Sequence, residues 1–206
     1  SLVTISKFSR RELSRWCGVP QEKFRVIGDS AEHITHIASD SSVLADYGLH
    51  AGKFALMVGN QSPNKNIELA VRAFEQVAPH GWTLALVGGS ASIFGSTECT
   101  SGDLVRKLGR VSDGQLRALY ENAGLFLFPS RYEGFGVPPL EAMALGCTVL
   151  SSDSSAMPEV LGDAAAYFES DNLDDLKRQI ATLCGDDALR RSYAMKGSER
   201  ARLYSW

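Results

Sequence analysis

The chain has 206 residues, 44% of them hydrophobic and 22% charged, with a formal net charge of −3. These are ordinary values for a globular chain with room for one full core, and they leave no basic footprint for nucleic acid. The longest apolar runs, such as 124–128, are too short to span a bilayer, and the N-terminus lacks the basic-then-apolar pattern of a signal peptide.

In chain order, Val3–Ser6 reads as a short strand, and Ser9-Arg10-Arg11-Glu12 opens a helix with the pattern of a capping box. Gly18-Val19-Pro20 ends that helix, and Phe24–Ile27 reads as a second short strand. The polar stretch from Asp29 to Ser42 reads as a linker, which places a domain boundary near residue 50, with segment 1–50 before it and domain 51–206 after it. From Phe54 onward short apolar runs alternate with helical patterns. The strands expected are Phe54–Val58, Thr83–Val87, Val105–Leu108, Leu125–Phe128, Thr148–Ser151 and Ala165–Phe168. The helices expected are Ile67–Val77, Asp113–Asn122, Pro139–Leu145, Met157–Leu161, Leu173–Leu183 and one from Asp187 onward. Ile67, Ala70, Val71 and Phe74 recur on one helical face, a stripe that can lie on a sheet. Strands alternating with helices of this length imply βαβ units and a parallel sheet, and the nearly all-apolar Leu125–Phe128 implies cover on both faces. The chain starts on Ser1 and stops on Leu203-Tyr204-Ser205-Trp206 without a stop signal, so both ends read as cuts in a longer protein.

Cys17, Cys99, Cys147 and Cys184 are scattered without any CxxC pair, so free thiols in a reducing cytoplasm are expected, with Cys147 a packing residue. His33 and His36 have no cysteine or carboxylate at ligand spacing and read as loop residues rather than metal ligands. Val87-Gly88-Gly89-Ser90 resembles the start of a dinucleotide turn but lacks the third fingerprint glycine.

Ligands of an open parallel sheet bind beyond the carboxyl ends of its strands. After Phe54–Val58 comes Gly59-Asn60-Gln61-Ser62-Pro63-Asn64-Lys65-Asn66, where Asn64 or Asn66 can cap the next helix and Lys65 stands beside its positive end. A helix start with a neighbouring ammonium suits a phosphate, although Lys65 alone reads equally well as a solvated surface residue. After Leu125–Phe128 comes Pro129-Ser130-Arg131-Tyr132-Glu133-Gly134-Phe135-Gly136-Val137-Pro138-Pro139-Leu140-Glu141. Its glycines let backbone N–H groups approach a ligand, and its prolines suit a helix start. Alone, Glu133 is a solvated loop charge and Glu141 a carboxylate favouring the dipole of the first helical turn.

The run EGFGVPPLE, Glu133 to Glu141, resembles the E-x7-E signature of retaining GT-B glycosyltransferases, in particular their family 4. The resemblance extends through ALMVGNQSPNKNIELAVRAF, through VRKLGRVSDGQLRALYENAGLFLFPSRYEGFG and through PEVLGDAA, while SKFSRRELSRWCGVPQEKFRVI is similar to the family's interdomain linker. It implies an α/β fold with a Rossmann-like doubly wound parallel sheet, the C-terminal half of a GT-B pair, preceded by a linker segment. It also implies transfer of a hexosyl group from a nucleoside diphosphate sugar to an acceptor hydroxyl in polysaccharide biosynthesis. Glu141 would then bind the ribose hydroxyls and Glu133 the donor sugar. Backbone around Gly134, Phe135, Gly136 and Val137 would hold sugar and diphosphate, Lys65 beside Gly59 would neutralise the diphosphate, and Arg110 and Val111 would hold the base edge.

No cofactor or metal is implied, and no D-x-D motif of the metal-dependent class occurs. Ser154-Ser155-Ala156-Met157-Pro158-Glu159-Val160 resembles a variant of mannosyltransferase-like members, so GDP-mannose stands beside a UDP-sugar as the expected donor. The acceptor, a sugar or a lipid-linked glycan, would be held by an N-terminal domain outside these residues, at the cytoplasmic side and in reach of the inner membrane face. One departure matters: Asn60 stands where many members carry Arg, which leaves Lys65 as the lone cation of that pair and Arg131 as a replacement by proximity. The alternative reading is a non-catalytic nucleotide-binding or regulatory module on the same fold.

Overall fold

The computed structural model describes residues 1–60, 62–89 and 104–205; Gln61, Ser90 and Cys99 lie outside the described residues. Two short strands, β1 (Leu2–Thr4) and β2 (Phe24–Val26), pair in parallel around helix α1 (Lys7–Cys17). The helix starts earlier than the Ser9 capping-box reading has it. Ser6, in extended backbone, takes the Ser9 N–H on its hydroxyl and so becomes the N-cap itself. The polar stretch beyond β2 is not bare linker: it carries α2 (Glu32–Thr35) and is followed by α3 (Ser42–Asp46). Ala31, Ile34, Val43 and Leu49 enter the main core, and the Arg117 guanidinium donates to the carbonyls of Thr35 and Ile37.

The principal sheet holds β3 (Phe54–Val58), β4 (Thr83–Val87), β5 (Val105–Gly109), β6 (Leu125–Phe128), β7 (Val149–Ser152) and β8 (Ala166–Phe168). Its spatial order is β5-β4-β3-β6-β7-β8, and every neighbouring pair is parallel. This is the doubly wound arrangement expected. The chain steps outward from β3 to β5, then crosses back to β6 and steps the other way, so the direction reverses between β3 and β6.

Helices α4 (Ile67–Val77) and α8 (Leu173–Gly185) cover one face; α5 (Asp113–Asn122) and α6 (Val137–Ala144) cover the other. Successive strand residues point to opposite faces. Phe54, Leu56, Phe126 and Phe128 therefore pack with Leu119, Tyr120 and Leu140, while Ala55, Met57, Leu125 and Leu127 pack with Ala70, Phe74 and Ile180. The remaining helices are α7 (Met157–Leu161) and α9 (Asp187–Ala201).

Helix α6 starts at Val137, two residues before the start expected at Pro139. Gly136 has φ +97 and acts as N-cap, and the first helical turn needs no backbone donors from Pro138 or Pro139. Glu141 consequently lies in the second turn rather than the first. It is therefore too far from the helix end to be explained as a dipole-favouring charge.

Candidate active site

Where β3 and β6 send their connections to opposite sides, a crevice opens above their carboxyl ends. A small cleft open to solvent lies there, with Gly59, Asn60, Lys65, Gly88, Phe128 and Ser130 in its lining. Lys65 closes a 3₁₀ turn, Pro63–Lys65, directly before Asn66, the left-handed N-cap of α4. Its ammonium therefore stands next to the positive end of that helix. The Asn66 side chain does not cap; its amide donates to Asp171 Oδ1 at 3.0 Å.

Lys65 Nζ sits 2.6 Å from Glu133 Oε1 and 5.2 Å from the centroid of the Phe128 ring. Both ends of the ion pair are largely buried, at 18% and 16% side-chain exposure, so solvent screens it less than a surface pair. Two loops that the sequence separates are thus joined by opposite charges across the switch point.

Asn60, which stands where many members carry Arg, and Arg131 are each engaged with other partners. Asn60 Oδ1 accepts from Ser62 Oγ at 2.6 Å and closes a local turn. Arg131 Nε lies 2.7 Å from Asp171 Oδ1, and its Nη1 donates to the Pro63 carbonyl at 3.0 Å. Arg131 thus ties the glycine-rich loop to Asp171 and to the turn before Lys65, through an exposed ion pair.

The glycine-rich loop is anchored on both sides of Glu133. The Glu133 N–H donates to Ser155 Oγ at 3.0 Å, and the Gly134 carbonyl accepts from Ser6 Oγ at 2.6 Å and Ser9 Oγ at 3.0 Å. The Glu159 carboxylate, on α7, accepts the N–H groups of Lys7 and Phe8, at 2.7 and 2.9 Å, and so seats the start of α1 against that helix. At the start of α6 the prolines have no N–H, so of its first three residues only Val137 offers a free backbone donor.

Glu141 is 7% exposed. Its Oε2 accepts from the hydroxyl of Tyr120 at 2.8 Å, and its Oε1 lies 2.8 Å from His33 Nε2. Burial first, and then the Glu141 charge, push the Tyr120 phenol well above its ordinary pKa. Tyr120 therefore stays protonated and donates at any ordinary working pH. A carboxylate accepts at about four lone-pair positions, and two are used here; neither Glu141 nor Glu133 is among the residues lining the cleft.

Arg110 and Val111 follow β5 at the edge of the sheet; Arg110 is exposed and Val111 packs partly on the core. Neither is among the residues lining the cleft. Cys147 is buried, its thiol pushed up to about 12 by desolvation, as befits a packing residue. Among the described residues no group of three or more His, Cys, Asp or Glu could hold a metal ion, and no helix is long and apolar enough to cross a membrane.

Sequence reasoning missed His33, Tyr120, Gly88 and Ser130. Gly88 enters the sequence reading only as part of a weak dinucleotide turn, and no local signal marks Tyr120 within its helix. His33, set aside as a loop residue, belongs to α2 and reaches Glu141.

The profile of the family described as glycosyl transferases group 1 matches residues 46–200. The O-antigen chain mannosyltransferase B of Escherichia coli is 31% identical over 222 residues, which is 100% of this chain and 57% of that protein. The O-antigen chain mannosyltransferase RfbU of Salmonella typhimurium is 30% identical, over 83% of this chain and 47% of its own length. The chain thus spans about half the length of these curated relatives. Among solved structures, Anabaena HepE in complex with UDP and glucose superimposes with a TM-score of 0.82 at 21% identity, over 99% of this chain and 59% of that one. WaaG, a glycosyltransferase involved in lipopolysaccharide biosynthesis, superimposes with a TM-score of 0.81 at 18% identity, over 98% of this chain and 58% of that one. By its sequence, and with a fold that agrees, the chain belongs to the glycosyl transferases group 1 family.

Proposed function

We propose that the chain binds the nucleoside diphosphate sugar donor of a retaining glycosyltransferase. The observation that carries this reading is the cleft at the switch point, lined by Lys65 and the start of α4, with the Glu133 carboxylate on the Lys65 ammonium. Breaking the bond from the anomeric carbon to the diphosphate leaves negative charge on the departing oxygen. Lys65 and the α4 N-terminus are the fixed positive groups that stabilise it, and Glu133 faces the sugar. Glu141, held from below by Tyr120, takes the ribose hydroxyls. Ser130 lines the cleft, and its buried hydroxyl, which has no hydrogen-bond partner among the described residues, would gain one from a donor oxygen that reached it.

The relatives named as mannosyltransferases support GDP-mannose as donor, and the structural neighbour solved with UDP and glucose supports a UDP-sugar as the competing choice. The chemistry needs no metal or further cofactor in this reading. The acceptor, a sugar or lipid-linked glycan at the cytoplasmic face of a membrane, is held by parts of the protein outside these residues.

Calorimetric titration of the chain with GDP, GDP-mannose, UDP and UDP-glucose tests the reading; absence of binding to all four overturns it. Lys65→Ala is expected to lower affinity for the bound nucleotides about tenfold or more, through loss of one charge-assisted contact worth roughly 1.5–3 kcal/mol. It should also flatten the salt dependence of binding. Unchanged affinity at low salt would make Lys65 a partner of Glu133 and nothing more.

A further inference from the structure

Lys65 is not free in the ligand-free chain. Its ammonium is engaged by Glu133 at 2.6 Å, and the ring of Phe128 sits beneath it at 5.2 Å. The backbone that carries this carboxylate is pinned at residue 133 by Ser155 and at residue 134 by Ser6 and Ser9, so Glu133 stays within side-chain reach of Lys65. An anion that takes Lys65 must therefore compete with a carboxylate that stays nearby. In a cleft partly shielded from water, that competition is felt strongly.

We infer that Glu133 makes the site discriminate against the bare nucleoside diphosphate in favour of the sugar-linked form. The inference rests on the donor-binding reading above and concerns the same site. A bare diphosphate ends in a free phosphate, which carries an additional negative charge at neutral pH because its second ionisation lies near pKa ~6. That charge falls where the donor carries its sugar ester. The bare form pulls Lys65 from Glu133 and leaves two anions facing each other. The sugar-linked form carries one charge fewer there and brings hydroxyls that donate to Glu133, so the carboxylate exchanges one partner for another. Once the sugar has been transferred, Glu133 recaptures Lys65 and helps to expel the product.

The test compares GDP with GDP-mannose, and UDP with UDP-glucose, on the wild-type chain and on Glu133→Gln. The amide keeps the shape of Glu133 and removes its charge. The variant is expected to bind the bare diphosphate roughly three- to tenfold more tightly, as release of one ammonium for a charge-assisted contact implies, and the sugar-linked form no more tightly. Glu133→Ala, with a matching thermal transition as a check on folding, should show the same gain for the bare diphosphate. A purely structural role would lower both affinities together. Parallel losses, or a bare-diphosphate affinity unchanged in both variants, overturn the inference and leave the donor-binding reading standing. A wild-type chain that binds none of the four compounds overturns both.

Discussion

Glu141→Ala is expected to lower affinity for bare and sugar-linked nucleotides alike by about a hundredfold. A carboxylate receiving two ribose hydroxyls makes two charge-assisted hydrogen bonds of roughly 1.5–3 kcal/mol each, and even the lower end of their sum, about 3 kcal/mol, reaches two orders of magnitude. The effect falls on both ligands because the ribose is common to them, in contrast to the gain confined to the bare diphosphate that is expected at Glu133. The substitution also strikes the core. Tyr120 is fully buried and Glu141 is the acceptor of its hydroxyl, so removing the carboxylate strands a donor away from water. That costs about 1–3 kcal/mol of stability.

Tyr120→Phe separates the two consequences. It leaves the carboxylate, and with it most of the ribose contact, but loosens the side chain that aims it. Binding by calorimetry and stability by chemical denaturation are measured on both variants. If Glu141→Ala lowers stability while nucleotide affinity holds, Glu141 is a structural acceptor for Tyr120 and His33, and the ribose site lies elsewhere.

What could be read from the residues divides along the range of the signals. Helices Ile67–Val77 and Asp113–Asn122 lie where expected, because their cues are local. For the second, Ser112 and Gln115 form a reciprocal capping box written in the sequence itself. The start of α6 was missed because its cue is the +97° backbone of Gly136, and a Cβ there would come within 2.6 Å of Met157 Cε in another element. The E-x7-E run named both glutamates but not their partners. Lys65 meets Glu133 only because β3 and β6 are neighbours in the sheet, and His33 meets Glu141 only because a polar stretch folds onto the core. Arg131 shows the opposite failure, since closeness in sequence to Glu133 did not predict its engagement by Asp171. Propensity and periodicity carry the elements; side-chain pairing across the switch point belongs to topology.

Gly88→Ala is expected to be the most destabilising single-methyl change at the site, costing about 3–5 kcal/mol, in the range of severe core or backbone defects. Gly88 has φ +104, outside the regions open to L-residues. A Cβ there would stand 2.3 Å from the Gly59 carbonyl oxygen and 2.9 Å from its carbon, both of them backbone atoms. Neither side can retreat easily, since the Gly59 N–H donates to the Val87 carbonyl at 3.0 Å and the Gly88 N–H to the Gly109 carbonyl at 2.7 Å. These two bonds lace together the carboxyl ends of β3, β4 and β5, so a methyl group at Gly88 pushes apart the floor of the cleft. A thermal scan should show the transition lowered by about 10 °C, as expected for a chain of this size. Gly48→Ala is the control: Gly48 also has positive φ, +59, but nothing lies within 4 Å of its missing Cβ. It should lose only about 1 kcal/mol, the cost of left-handed backbone alone. Equal losses at the two positions would mean that the approach of Gly88 to Gly59 is no constraint on the fold, and that the sheet ends relax to admit the methyl.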